Sequence, residues 1–182
     1  MLDTASYRDL KVVDIAREAG TSPATFYQYF TDVDAAIAEL AGDMAADGAT
    51  RLGGLLEGTR WSGEDAEASV RMLVTGFLDF WDANRPLMRV IDLKAAEGEG
   101  RIRSTRKDLL AGFSNGLAEC VQRKSLPDAP ANPWAMASVA VTMLVNVAIQ
   151  REIFAASEIP DEDMIDAVAR LLLAAVTGTT TG

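Results

Sequence analysis

The sequence predicts an all-α protein of about eight to nine helices, and three observations carry that expectation. Apolar residues recur at three- and four-residue spacing almost throughout the chain. No run alternates β-branched and polar residues between turn pairs, as a strand would. Helix-start residues stand in front of most of the apolar stripes.

The elements follow in order. Val12, Ile15, Ala16 and Ala19 lie at i, i+3, i+4 and i+7, the apolar stripe of a helix that ends at Gly20. Ser22 caps a second helix, with Pro23 in its first position. Phe26 and Phe30 stand four apart on it and are expected to point inward. Thr31 or Asp32 caps a longer helix with Ala36, Ile37, Leu40 and Met44 inward, running to about Leu56. Gly58 to Gly63 is a break, and Ser62, Glu64 and Asp65 resemble a helix start with acids suited to the dipole. That helix carries Val70, Leu73, Val74, Phe77, Leu78, Phe80 and Trp81 and stops before Pro86. A short apolar segment follows, with Leu87, Met88, Val90, Ile91 and Leu93, and the run AEGEG reads as a loop. From about Arg101 to Lys124 another helix carries Ile102, Leu109, Leu110, Phe113, Leu117 and Val121. SLPDAPANP is a Pro-rich linker. Asn132 caps and Pro133 starts the next helix, to about Ala156. Pro160, backed by Asp161, Glu162 and Asp163, opens the last one, to about Thr177, and GTTTG is a loose tail.

Composition excludes several chemistries. The 182 residues contain no histidine and one cysteine, Cys120. A Ser-His-Asp triad, a Cys-His dyad, a histidine-containing zinc site and an internal disulfide are therefore all impossible. There is no Gly-rich phosphate loop and no spaced set of metal ligands, so neither an enzyme nor a cofactor is expected. The start MLDTASYRDL lacks a basic run followed by an apolar one, and the most apolar stretch, Trp134 to Ile149, holds sixteen residues against the ~20 of a spanning helix. A cytoplasmic chain without a membrane partner is expected. The formal charge of −10 argues at face value against nucleic acid.

The segment from Val12 to Phe30 qualifies that inference. Two short helices joined at AGTS have helix-turn-helix form, the first apolar and the second with an open face. Ala24, Thr25, Tyr27, Gln28 and Tyr29 surround the two phenylalanine anchors. Hydroxyls and an amide can bond phosphates and base edges, and a small Ala permits close approach. A surface helical hairpin whose aromatics simply pack satisfies the same spacing.

The stretch VVDIAREAGTSPATFYQYF, followed by a helix beginning near DVDAAI, resembles the DNA-binding domain of the tetracycline-repressor (TetR) family. The likeness is specific at the helix pair and its exit. The remainder matches in pattern, with about six further helices of which the last two are long and apolar. The resemblance implies an all-helical homodimeric repressor of double-stranded operator DNA, usually induced by a small ligand. It implies a head over residues 1–45 and a ligand-binding and dimerisation domain over 46–182. By resemblance, Ala24, Thr25, Tyr27, Gln28 and Tyr29 read DNA, with Thr21, Ser22 and Lys11 near its backbone.

Three departures accompany it. Family members begin with a full helix and often a basic arm. Here six residues precede Tyr7, so most of that helix is expected to be missing, leaving Ile15, Phe26 and Phe30 poorly covered. Val33 stands where the family often has lysine. Residues 1–45 hold three basic groups against eight acidic ones, a net −5 in the part that would meet DNA.

In the larger part, Phe77, Trp81, Met88, Phe113 and Met143 suit an apolar pocket, with Asn146 first and Thr142 second as polar contacts to a ligand. The same residues suit a plain core, and Asn146 suits a bond to a neighbouring backbone. The last two helices suit a homodimer through Val141, Leu144, Val145, Ile165, Val168, Leu172 and Ala175. Two-fold pairing would make a four-helix bundle and set the two recognition helices about 34 Å or somewhat more apart. Arg101, Arg103, Arg106 and Lys107 read as a solvated helix start rather than an anion site, and Cys120 as buried or idle. The expected function is a ligand-responsive repressor released from its operator by an apolar small molecule. The alternative is a dimeric helical small-molecule-binding protein that does not bind DNA in this truncated form.

Overall fold

Local capping chemistry fixes where the helices begin. The computed structural model describes residues 7–97, 100–124 and 132–178. A single turn of 3-10 helix, Tyr7–Asp9, is followed by α1 (Val12–Glu18), α2 (Pro23–Tyr29), α3 (Val33–Gly58), α4 (Ala66–Ala83), α5 (Arg85–Ala96), α6 (Gly100–Lys124), α7 (Pro133–Ala156) and α8 (Asp161–Thr177). No strand occurs among the described residues. The expected linker SLPDAPANP, apart from Asn132 and Pro133, the tail beyond Gly178 and the first six residues lie outside them.

Asp32, rather than Thr31, caps α3: its Oδ1 accepts the Ala35 N–H at 2.7 Å. Asn132 Oδ1 accepts the N–H groups of Trp134 and Ala135 at 3.1 and 3.2 Å, with Pro133 just inside α7. The segment around Leu87 to Leu93 is itself a helix, and Pro86 sits in its first turn. A first-turn proline has no intrahelical bond to lose, so Pro86 starts α5 instead of separating two elements.

The chain groups into two compact units. The first comprises residues up to Asp47 together with Asn84–Asp108: α1, α2, the start of α3, α5 and the first turns of α6. Ala16, Phe26, Ile37, Ala41, Met44, Met88, Val90 and Ile91 form its interior. Leu40, expected inward, is half-exposed, because the buried phase of α3 runs through Ile37, Ala41 and Met44. Contact thus assigns Asn84–Asp108 to the N-terminal residues, a grouping the sequence boundary at residue 45 does not contain.

The second unit comprises Gly48–Ala83 and Leu109–Gly182. Within it α4 packs on α7 and α8, and α7 on α8. Leu73, Val74, Phe77, Leu78, Phe113, Leu117, Leu144 and Leu172 are its most enclosed apolar side chains. Arg151 of α7 is held by Asp82 at the end of α4 and by Asp161 at the start of α8, its Nε donating to Asp161 Oδ1 at 2.7 Å. α7 is long and apolar enough, by length and composition, to cross a membrane, and only 28% of its most apolar window is buried.

Candidate functional site

The turn between α1 and α2 is built by backbone geometry. Gly20 N–H donates to Arg17 O at 3.1 Å and Thr21 N–H to Ala16 O at 2.8 Å, the paired bonds of a Schellman ending, with Gly20 at φ +65°. Two residues later Ser22 Oγ accepts the Thr25 N–H at 3.1 Å and lies 3.0 Å from the Thr25 hydroxyl. Turn and cap are adjacent in sequence, so the angle at which α2 leaves α1 is set within six residues.

α2 is anchored by Phe26, whose ring meets Tyr27 edge-on at 5.7 Å and Phe30 at 5.3 Å. Phe26 is buried, while Ile15 and Phe30 are half-buried, so the poor cover expected for all three applies to two of them. With Phe26 inward, Ala24, Tyr27, Gln28 and Tyr29 are exposed; Tyr29 is 76% accessible and Tyr27 59%. Thr21 and Ser22 are exposed at the turn, and Lys11 is exposed at the N-cap position of α1. Thr25 differs from the rest: it is half-buried and its hydroxyl is engaged with Ser22, so its local role is capping. The exposed residues of α2 offer two phenols, one amide and a methyl-sized side chain, a donor and acceptor set that bonds phosphate oxygens and base edges.

Two of the three basic groups of the N-terminal residues are paired. Arg17 bonds Asp14 at 2.5 Å and Arg8 bonds Glu97 at 2.8 Å. Asn84–Asp108, in the same unit, carries seven basic groups against four acidic ones, which offsets part of the acidic excess of the N-terminal residues. Two features here had no signal in sequence. Lys94 of α5 is only 7% exposed; its Nζ donates to Asp34 Oδ2 at 2.7 Å and stands 4.9 Å from the centre of the Tyr7 ring. A cavity of about 430 Å³ opens beside the end of α2, lined by Tyr29, Phe30, Ala35, Ala38 and Glu39.

The residues chosen for a ligand are dispersed. Phe77, Trp81 and Phe113 come together: Phe77 stacks on Trp81 at 6.2 Å and meets Phe113 at 5.3 Å, all three enclosed. Met143 is half-buried on α7. Met88 is buried in the other unit. Thr142 and Asn146 are on the exposed side of α7, where Thr142 Oγ1 donates to Ser138 O at 2.8 Å and Asn146 Nδ2 to Thr142 O at 3.3 Å. Each thus bonds the carbonyl four residues back along its own helix.

The residues chosen for a dimer are also displaced. Val141, Leu144, Val145, Ile165, Val168 and Leu172 are buried by their own chain, and Ala175 is half-buried. A helix apolar around most of its circumference gives no phase from which to tell the inner from the outer side. The exposed apolar side of α7 instead carries Trp134, Val139, Ile149 and Ile153, and α8 exposes Leu171.

Comparison with known proteins completes the picture. A family model described as bacterial regulatory proteins, tetR family, matches residues 2–42. A second, described as a tetracyclin repressor-like C-terminal domain, matches residues 52–181. No curated protein matches the chain. Among solved structures, a protein with unknown function from Rhodococcus sp. RHA1 shares the fold with a TM-score of 0.68 and 19% identity, over 97% of this chain and 88% of that one.

Proposed function

The chain belongs to the TetR family of bacterial regulatory proteins and is a DNA-binding transcriptional regulator of all-α fold, and from that premise we propose that it is a homodimeric repressor released by an apolar small molecule. The observation that carries the reading is α2: a fixed turn and cap present Ala24, Tyr27 and Gln28 on one open side, with Tyr29 exposed further round the helix and Phe26 buried beneath it. Tyr27, Tyr29 and Gln28 would contact the operator, and Thr21, Ser22 and Lys11 its phosphates. Thr25 would act through the cap.

The aromatic cluster of Phe77, Trp81 and Phe113 supports an apolar ligand rather than a charged one. Dimerisation through the outer side of α7 would present two α2 helices to one operator. The reading places the protein in the cytoplasm.

The test is a gel shift with DNA from upstream of the protein's own coding sequence, at stated salt. Wild type shifts the fragment, and Tyr27→Ala weakens the shift at least tenfold while its melting curve stays close to wild type, Tyr27 being exposed. A folded wild-type dimer that shifts no such fragment would instead support a small-molecule-binding protein without DNA recognition.

A further inference from the structure

The outer side of α7 has an unusual composition for the surface of an acidic chain. Its exposed residues include Val139, Thr142, Asn146, Ile149, Gln150 and Ile153, with Val139 67% and Ile153 60% accessible. From Trp134 to Gln150 the sequence has no charged residue, although the whole chain carries −10. Arg151, next in sequence, is engaged with Asp82 and Asp161 of its own chain. Two copies of an acidic protein repel unless they meet through a neutral surface, and a two-fold axis sets each residue opposite its counterpart or a symmetric partner. A neutral apolar stripe is compatible with its own copy across such an axis.

The stripe also has a centre. Asn146 lies seven residues from Val139 and seven from Ile153. If the stripe covers its copy fully, antiparallel across a two-fold axis, Val139 meets the partner's Ile153 and Asn146 meets the partner's Asn146. The amide suits that place. One Nδ2 hydrogen is used on Thr142 O at 3.3 Å, and Oδ1 accepts a long bond from Gln150 Nε2 at 3.5 Å. One Nδ2 hydrogen and one Oδ1 lone pair remain, and two such amides facing each other complete both with a reciprocal pair of bonds.

We propose that Asn146 is the register- and partner-specifying residue of a homodimer, seated on the two-fold axis and bonded to its own copy. This rests on the dimer reading above. In any shifted register the amide faces Val, Ile or Ala and loses its partner, so one polar pair within an apolar stripe excludes the alternatives. A differently charged or differently spaced relative is rejected for the same reason.

The test uses single cysteines in a Cys120→Ser background under mild oxidation, since a disulfide forms only where the two Cα atoms come within about 7 Å. Asn146→Cys is expected to give a covalent dimer and Val139→Cys alone none, while Val139→Cys with Ile153→Cys again links. Asn146→Asp, which opposes two carboxylates on the axis, raises the dimer dissociation constant at least tenfold at pH 7.5 by sedimentation, and Asn146→Ala separates that effect from mere loss of the amide. A wild-type chain that sediments as a monomer, or that partitions into phospholipid vesicles instead of pairing, overturns the dimer and the proposal together. A wild-type dimer in which Val139→Cys links and Asn146→Cys does not leaves the dimer standing and overturns the register.

Discussion

Gly20 and Lys94 illustrate two kinds of residue. At Gly20 the backbone adopts φ +65°, and a Cβ placed there would meet nothing within 4 Å. The demand is therefore conformational, and Gly20→Ala is expected to cost about 1–2 kcal/mol, the penalty of left-handed backbone for a residue with a Cβ. Denaturant unfolding checks it, and Gly20→Asn should recover part of the loss because Asn tolerates that region. The glycine is legible in sequence because turn chemistry acts over a few bonds. Lys94 is not. A lysine in a short apolar segment reads as surface, yet Asp34, sixty residues earlier, and the Tyr7 ring enclose its ammonium. Nothing local to Lys94 encodes partners that only folding brings near.

Elements show the same division. The starts of α2, α3 and α7 follow from Ser22, Asp32 and Asn132, each bonding an N–H two or three residues ahead. The start of α8 depends on distance. Pro160 offers no side-chain cap, and Asp161 is instead tied to Arg151 of α7. The hydrogen bond from Arg151 holds the Asp161 carboxyl below its ordinary value of 3.8, and the same bond holds the Arg151 guanidinium protonated. A carboxyl whose folded-state value is depressed contributes stability that is fully present above its unfolded value and is lost as pH falls through the folded one. Asp161→Asn should therefore lower the melting temperature at pH 7 and flatten its fall below about pH 3.8. Melting curves between pH 7 and 2 test this, and an acid limb as steep as in wild type would show that the pair is not linked to folding. The aromatic content of α4 and α6 was legible, but the meeting of Phe77, Trp81 and Phe113 needed two helices distant in sequence.

For the whole molecule, charge is the decisive quantity. Residues 1–47 supply three basic groups, Arg8, Lys11 and Arg17, two of them already in ion pairs. Two heads offer twice that number, and the logarithmic salt slope of duplex binding is roughly −0.9 per phosphate neutralised. The operator complex is accordingly expected to show a slope no steeper than about −5 between 50 and 300 mM salt. A steeper slope, measured by anisotropy on labelled duplex, would mean that the basic groups of Asn84–Asp108 also meet phosphate. The face of α2 rather than the formal charge of −10 supports recognition, because hydroxyls and an amide read DNA without changing that total.

The sequence by itself determined the helices other than α5, the caps of α2 and α7, the turn at Gly20 and the family, since spacing, capping and turn motifs act within a few residues of one another. The inward direction of α2 was legible too, because Phe26 stands among polar neighbours. Only the tertiary structure decided which side of α7 faces the core, that Met88 sits in a different unit from Phe77, and that Lys94 is buried. An amphipathic helix carries its orientation in its own composition. A helix apolar on nearly every side does not, and its neighbours in space settle which residues remain for a partner.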